Sequence, residues 1–203
     1  MSTAVVDERR ARRRSVTFLL IAVLIVVAAI PIAALWEAFG PNSGAYAPDF
    51  TLTDQDGRPF TLSSLRGDPV VLFFGYTHCP DTCPTTLAHL TRALRAPGVP
   101  SDEHVAFVTV DPARDSPPVL KRYVRIFDPR FIGLTGTAAV LAPIYAAYHT
   151  WREDVPVHHG PHDDYSVAHG AAIYFIGRNG TVRGFGSWDD DMPTMVRELQ
   201  EFR

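Results

Sequence analysis

The apolar and polar positions after residue 48 change between strand-length and helix-length patterns. Residues 69–74 and 104–110 are apolar runs of strand length, which predict strands buried on both faces of a sheet. Between them, leucines recur at helical spacing after Pro84, a residue that suits a first helical turn because its nitrogen needs no hydrogen-bond partner there. We therefore expect a strand, a helix that begins at about Cys83, and a second strand.

The remaining segments complete an α/β order. Residues 149–169 are polar, contain proline and several histidines, and are long enough that they should be functional, mobile or hairpin-forming. Asp191 is a typical N-cap of a closing helix. Other predicted elements are a hairpin over 50–62, helices over 117–127 and 137–148, a strand over 131–134, and a hairpin of strands over 171–176 and 181–185. This order predicts an α/β thioredoxin-like sandwich with an added N-terminal hairpin over residues 48–203.

The first 47 residues are of a different kind. Residues 16–35 carry no charge, and these 20 residues match the length that crosses about 30 Å of hydrocarbon. Five arginines precede this segment, and basic residues flanking an apolar span stay in the cytoplasm. We expect a cytoplasmic N-terminus over 1–15, one transmembrane helix over 16–35 as an uncleaved anchor, a tether over 36–47, and the domain on the extracytoplasmic side. A cleaved signal peptide is the alternative.

Net charge excludes one class of partner. The chain carries −3 at pH 7 and its first 14 residues carry +3, so the other 189 residues carry −6. An acidic body does not follow a phosphate backbone, which excludes nucleic acid. Lipid anchoring is also excluded, because the two cysteines, Cys79 and Cys83, both lie far from the apolar segment.

The cysteine pair is the strongest chemical signal in the chain. A helix N-terminus favours thiolate over thiol, and a thiolate is both a nucleophile and a soft metal ligand. A structural disulfide suits an exported domain, but so short a loop gains little from cross-linking. Dithiol oxidoreductases of this fold have two residues between their cysteines, whereas here three residues, 80–82, let the sulfurs diverge toward a shared ion.

His169 adds a nitrogen to this pair. Thioredoxins usually carry a cis-proline before the strand that faces the thiols, and here His169 stands in that neighbourhood. Two thiolates and one imidazole suit copper, whereas structural zinc normally takes a fourth protein ligand. The residues predict a metal site at Cys79, Cys83 and His169, and leave thiol–disulfide exchange open at the same cysteines. A thiol peroxidase is disfavoured, because no threonine lies three positions before either cysteine.

Three segments carry a resemblance to a known family: 75–84 (GYTHCPDTCP), 110–117 (VDPARDSP) and 164–169 (DYSVAH). Together with the predicted anchor they resemble the Sco/SenC copper proteins over essentially the whole chain. The resemblance implies a membrane-anchored copper chaperone that helps to metallate the CuA centre of cytochrome c oxidase, with the copper-bearing subunit of the oxidase as partner. It implies Cys79, Cys83 and His169 as copper ligands. A reductase acting on cysteines of a partner's copper site is the alternative.

One departure from the family concerns the surroundings of His169. The family histidine usually follows Asp and precedes Ser or Thr, whereas here Ala168 and Gly170 flank it, so neither adjacent side chain can orient the imidazole. We expect the acidic and basic residues after the second strand, Asp111, Arg114 and Asp115, to pair and hold the loop there.

Other residues allow a structural and a functional interpretation. Four further histidines, His149, His158, His159 and His162, form either a second copper or zinc site or a solvated loop. His78 either tunes Cys79 or lies on the surface, and Asp81 forms a turn or contacts a partner. The aromatic residues near these motifs are core or loop packing, or a rim suited to docking: Phe74, Tyr76, Trp151 and Tyr165.

Overall fold

The computed structural model describes residues 44–99, 101–156 and 165–201. The chain divides into two units after Gly44. The elements of the second unit are, in chain order, β1 (Thr51–Asp54), β2 (Pro59–Thr61), a 3-10 helix (Leu62–Leu65), β3 (Val70–Gly75), α1 (Thr82–Ala93), β4 (His104–Thr109), α2 (Pro117–Val124), β5 (Phe131–Thr135), α3 (Ala138–Ala147), β6 (Arg152–Pro156), β7 (Tyr165–His169), β8 (Ile173–Ile176), β9 (Val182–Gly186) and α4 (Met192–Glu201).

Seven of these strands form a mixed sheet in the order β2-β1-β5-β4-β3-β8-β9. The central strands β3, β4 and β5 are parallel, and the outer strands pair antiparallel with their neighbours. All six residues of β3 are buried, as its continuous apolar run predicts. Helix α1 packs against α4, and α2 packs against β5. The core therefore lies along β3 and β4.

The carboxyl ends of β3 and β4 lie side by side, because Gly75 pairs with Thr109 in the parallel register. The loops that follow both strands therefore leave the sheet at the same edge. The loop after β3 and the first turn of α1 contain the cysteine pair, and the loop after β4 contains the acidic and basic residues singled out in the sequence. In open α/β sheets this edge is where sites are usually built.

The polar segment after α3 contains a second, two-stranded sheet of β6 and β7. The antiparallel register sets Arg152 opposite His169 and Pro156 opposite Tyr165. This agrees with a hairpin-forming segment over 149–169. Three of its histidines, at positions 158, 159 and 162, lie outside the described residues.

Several predicted boundaries move by a few residues. Helix α1 begins at Thr82, and α2 ends at Val124 rather than at residue 127. The chain after α2 continues with i to i−3 bonds, such as Phe127 N–H to Val124 O at 3.1 Å, so the apolar stripe outlasts the α-helix. The strand predicted over 171–176 begins at Ile173.

The two ends of the second unit are also fixed by hydrogen bonds. Ala47 N–H donates to Gly180 O at 2.9 Å, so the end of the predicted tether pairs with the turn between β8 and β9. Asp191 caps α4 as predicted, because Thr194 N–H donates to its Oδ1 at 2.9 Å.

Within the ranges that the structure describes, no helix has the length and apolar character needed to cross a membrane. The anchor predicted over 16–35 lies outside those ranges.

Candidate metal centre

The two cysteines lie between the end of β3 and the first turn of α1. Cys83 is completely buried, Cys79 is partly exposed, and neither forms a disulfide. The Cys83 N–H donates to Cys79 Sγ at 3.3 Å, so the loop of three residues folds back over the first sulfur. At the end of β3, a Cβ on Gly75 would lie 2.9 Å from Cys83 Sγ and 2.7 Å from the Phe107 ring. Only glycine leaves room for this sulfur.

The surroundings give the two sulfurs different proton affinities. A hydrogen bond from the Cys83 thiol, with further hydrogen bonds from the backbone of Cys83 and Asp81, lowers the pKa of Cys79 to about 5, against the opposing effect of burial. The same thiolate neighbour, together with burial, raises the pKa of Cys83. At neutral pH the site therefore holds one thiolate, at Cys79, and one buried thiol.

His169 is the last residue of β7, and it faces this pair. Its Nε2 lies 4.0 Å from Cys83 Sγ. Its Nδ1 lies 2.9 Å from Gly170 O, and because a carbonyl oxygen can only accept, Nδ1 carries the proton. The backbone of Gly170 thus orients the imidazole, a role that no neighbouring side chain was expected to fill. In the neutral imidazole this leaves Nε2 without a proton and able to act as a ligand.

Cys79 and His169 line one open pocket of about 400 Å³ at the sheet edge, and Cys83 lies behind them. Across the described ranges, no group of three or more Cys, His, Asp or Glu side chains is already closed around a common point. The structure thus brings the three predicted residues to one place without closing them to coordination distance.

Asp115 fixes the loop that carries the dithiol. Its buried carboxylate accepts hydrogen bonds from Thr77 N at 3.1 Å, Thr77 Oγ1 at 2.6 Å and Thr109 Oγ1 at 2.6 Å. Burial raises the pKa of this carboxyl group, against the effect of its hydrogen bonds. Asp115 therefore joins the loop after β3 to the end of β4, as scaffold rather than as a ligand.

Arg114 connects the same loop to β7. Its Nε pairs with Asp111, its Nη1 donates to Tyr165 O at 2.9 Å, and its guanidinium lies 3.8 Å from the centre of the Tyr165 ring. Tyr165 in turn donates its hydroxyl to Asp111 Oδ1 at 2.6 Å. The predicted pairing is found for Asp111 and Arg114, with Tyr165 as an additional member, whereas the Asp115 side chain holds the loop through Thr77 and Thr109 instead.

Three other residues singled out in the sequence have different surroundings: His78, Asp81 and His149. His78 is half exposed, and its Nδ1 lies 3.1 Å from Thr77 Oγ1 and 3.8 Å from Asp115 Oδ1. Asp81 accepts from Thr85 Oγ1 at 3.3 Å and does not cap α1 through its side chain. His149 follows α3 in the left-handed backbone region, with a φ of 48°.

The aromatic residues divide between core and pocket. Phe74 is a core residue, whereas Trp151 is 56% exposed and lines the pocket. Trp188, 48% exposed, lines the same pocket and was not singled out from the sequence. It follows β9 next to three aspartates and matches no ligand or nucleophile pattern, so the sequence offers no signal for it.

Comparison with known proteins gives matches over the domain that carries these residues. Residues 40–202 match the SCO1/SenC family. The SCO2 homolog, mitochondrial, of Bos taurus is 40% identical over 146 residues, covering 68% of this chain and 53% of that protein. The chain spans about half the length of the curated relatives it matches.

Solved structures of this family share the fold. The Bradyrhizobium japonicum ScoI structure with copper bound has a TM-score of 0.68 and 35% identity, covering 78% of this chain and 100% of that one. The Arabidopsis thaliana ScoI structure with copper bound has a TM-score of 0.69 and 29% identity, covering 77% and 97%. The predicted thioredoxin-like α/β fold is confirmed, and the chain belongs to the SCO1/SenC family.

Proposed function

We propose that this chain is a copper-binding metallochaperone for assembly of the CuA centre of cytochrome c oxidase, with Cys79, Cys83 and His169 as the ligands. The observation that carries the proposal is the approach of His169 Nε2 to within 4.0 Å of Cys83 Sγ at the pocket that also exposes Cys79. The copper-bound ScoI structures of two relatives support the choice of metal.

The distances suit a shared ion. Nitrogen and sulfur ligands at roughly 2.1 and 2.3 Å from a first-row metal, at a trigonal angle, lie about 3.8 Å apart. The observed distance of 4.0 Å between His169 Nε2 and Cys83 Sγ therefore requires a shift of only a few tenths of an ångström. Soft thiolates with one imidazole favour copper over harder ions.

Proton balance follows from the two cysteines. Cys79 is already a thiolate at neutral pH, whereas Cys83 must lose its proton when it binds a metal. Binding therefore releases the Cys83 proton, and His169 binds through Nε2 of its neutral tautomer. The copper is cargo in this scheme, and release to an acceptor returns the proton to Cys83.

The acceptor and the location are part of the same proposal. The resemblance of the three sequence segments supports the copper-bearing subunit of cytochrome c oxidase as acceptor. The uncharged span over 16–35 and the arginines before it support a single anchor, with the tether over 36–47 holding the domain outside the cytoplasm.

A second candidate, a thiol–disulfide reductase, is favoured by the asymmetry of the dithiol. The Cys79 thiolate would attack a partner disulfide and expel one of its sulfurs as a thiolate. Cys83, after losing its proton, would then attack Cys79 Sγ and release the second sulfur of the partner. The partner gains two electrons, and this chain is left with a Cys79–Cys83 disulfide.

An anaerobic copper(I) titration of the reduced full-length chain in detergent separates the two candidates. We expect one copper per chain in the wild type and a loss in Cys79→Ser, Cys83→Ser and His169→Ala. Full binding by all three variants would contradict the ligand assignment. A wild-type chain that binds no copper but exchanges readily with a disulfide would instead establish the reductase.

A further inference from the structure

Strand β7 carries His169, and its ladder does not join it to the main sheet. In the part of the chain that the structure describes, β7 pairs only with β6, and β6 is exposed along its whole length. The position of the imidazole relative to the dithiol therefore depends on what β7 contacts outside its own ladder. Arg114, in the loop after β4, holds Tyr165 at the start of the strand, and the loop after β3 supplies the contacts near His169.

Tyr76 makes the contacts near His169. Its phenol oxygen lies 3.0 Å from Ser166 Oγ and accepts a hydrogen bond from Val167 N–H at 3.3 Å. Its ring meets the His169 imidazole at 84°, with the ring centres 5.9 Å apart. Tyr76 is only 2% exposed, so water does not compete for these contacts.

The main chain of Tyr76 contacts the other side of the site. Its carbonyl oxygen accepts from Cys79 N–H at 3.3 Å. One residue thus touches Cys79 through its backbone and His169 through its side chain. The side chain spans the gap between two sheets that no backbone ladder connects in the described residues.

We infer that Tyr76 is a positioning residue that sets the distance between the dithiol and the imidazole, and thereby the affinity and coordination geometry of the metal. The inference deepens the proposed function and rests on it, because it assigns the placement of the proposed ligand His169 to a residue that binds no metal. The ring limits the lateral movement of the imidazole, and the hydroxyl holds the strand two residues before it.

The test compares two tyrosine-to-phenylalanine substitutions. Tyr76→Phe removes the hydroxyl and keeps the ring. Tyr148→Phe is the matched control, because Tyr148 is also 2% exposed and its hydroxyl also makes a hydrogen bond, to Pro48 O at 2.7 Å, at the N-terminal end of the domain. Both variants lose the hydrogen bonds of one shielded hydroxyl group, but only the Tyr76 hydroxyl holds β7.

We expect Tyr76→Phe to weaken copper(I) binding by about tenfold in competition with a chelator, a typical effect of a partner that orients a metal ligand. Tyr148→Phe should stay within about twofold of wild type. Tyr76→Leu, which also removes the ring, should lose more affinity and should change the nitrogen hyperfine pattern of the copper(II) form. Equal affinities and spectra in Tyr76→Phe and Tyr148→Phe would overturn the inference.

A readout without metal keeps this test separate from the proposed function. In the metal-free full-length chain, hydrogen exchange at the Val167 amide should be faster in Tyr76→Phe than in wild type or Tyr148→Phe. Unchanged exchange overturns the inference even if copper binds as proposed, and a wild-type chain without copper affinity overturns the proposed function. If Tyr76→Phe folds poorly, Ser166→Ala removes one of the same contacts from the strand side, and wild-type affinity in that variant also counts against the inference.

Discussion

Cys79 and Cys83 carry the same thiol group, but the residues around each sulfur give the two thiols different proton affinities. The sulfur of Cys79 receives hydrogen bonds and lies at the pocket, whereas the sulfur of Cys83 donates one and is buried. A reagent that attacks thiolates should therefore distinguish them.

Alkylation of the reduced, metal-free chain by iodoacetamide should modify Cys79 first, with a half-maximal rate at about pH 5. The rate falls below that pH because the thiolate is protonated, and Cys83 stays unmodified at neutral pH. Cys83→Ala removes the donor and should move the midpoint upward, toward the ordinary thiol value, whereas Cys83→Ser keeps a donor and should move it less. Peptide mass spectrometry gives both rates, and a wild-type midpoint near 8 or 9 would contradict the assignment.

Gly75 has a steric role that one methyl group tests. In Gly75→Ala the added Cβ would meet Cys83 Sγ and the Phe107 ring at less than 3.0 Å, so we expect a loss of about 1–3 kcal/mol in the free energy of unfolding. Gly170→Ala is the matched control, because its nearest new contact is 3.6 Å, and it should cost less than about 0.5 kcal/mol. If Gly75→Ala and Gly170→Ala were equally stable in denaturant unfolding, Cys83 Sγ and the Phe107 ring would have shifted to accommodate the methyl group, and the steric role of Gly75 would be contradicted.

At the scale of elements, the described site depends on loops after β3 and β4 that share one carboxylate. Asp115→Ala removes the acceptor of three hydrogen bonds from Thr77 and Thr109 and leaves buried donors without it. We expect the free energy of unfolding to fall by roughly 2–4 kcal/mol. Asp189→Ala, at an exposed carboxylate after β9, should change it by less than about 0.5 kcal/mol. If Asp115→Ala also changed the free energy of unfolding by less than about 0.5 kcal/mol, Asp115 would not be part of the scaffold.

Elements with a buried face were predictable, and those without one were not. The continuous apolar runs gave β3 and β4 within a residue, because burial on both faces leaves an unambiguous pattern. Strand β6 is exposed at every position, so its residues carry no alternation from which a strand could be inferred. The sequence of residues 149–169 therefore predicted only a functional, mobile or hairpin-forming segment, and the structure shows β6 and β7 paired antiparallel.

The site was predictable only where chemistry marks a residue. The two cysteines are marked by residue type and spacing, and His169 by its position where thioredoxins usually carry a cis-proline. Tyr76 and Ser166 meet across 90 residues through ordinary hydroxyl groups, and no local pattern predicts such a contact. The orienting partner of the imidazole is a backbone carbonyl, which every residue has, so the sequence cannot single it out.

At the scale of the whole molecule, a ligand that binds only the folded chain stabilises it by mass action. At free copper(I) about 100-fold above its dissociation constant, this amounts to about 2.7 kcal/mol. For a domain of this size the midpoint of thermal unfolding should rise by roughly 5–10 °C. Anaerobic thermal unfolding, with and without copper, measures the shift. His169→Ala should show a smaller shift, and an equal one would remove the histidine from the ligand set.

Under the proposed function, the separation of β7 from the main sheet affects how the copper ion is retained and released. Cys83 and His169 are 86 residues apart in the chain, so an ion held by both closes a long loop, as a cross-link would. This coupling is reciprocal. Any interaction that stabilises the two-stranded sheet against the domain also strengthens the binding of the ion, by the same free energy. An acceptor that draws β7 aside as it docks would therefore loosen the ion by the same movement that exposes it.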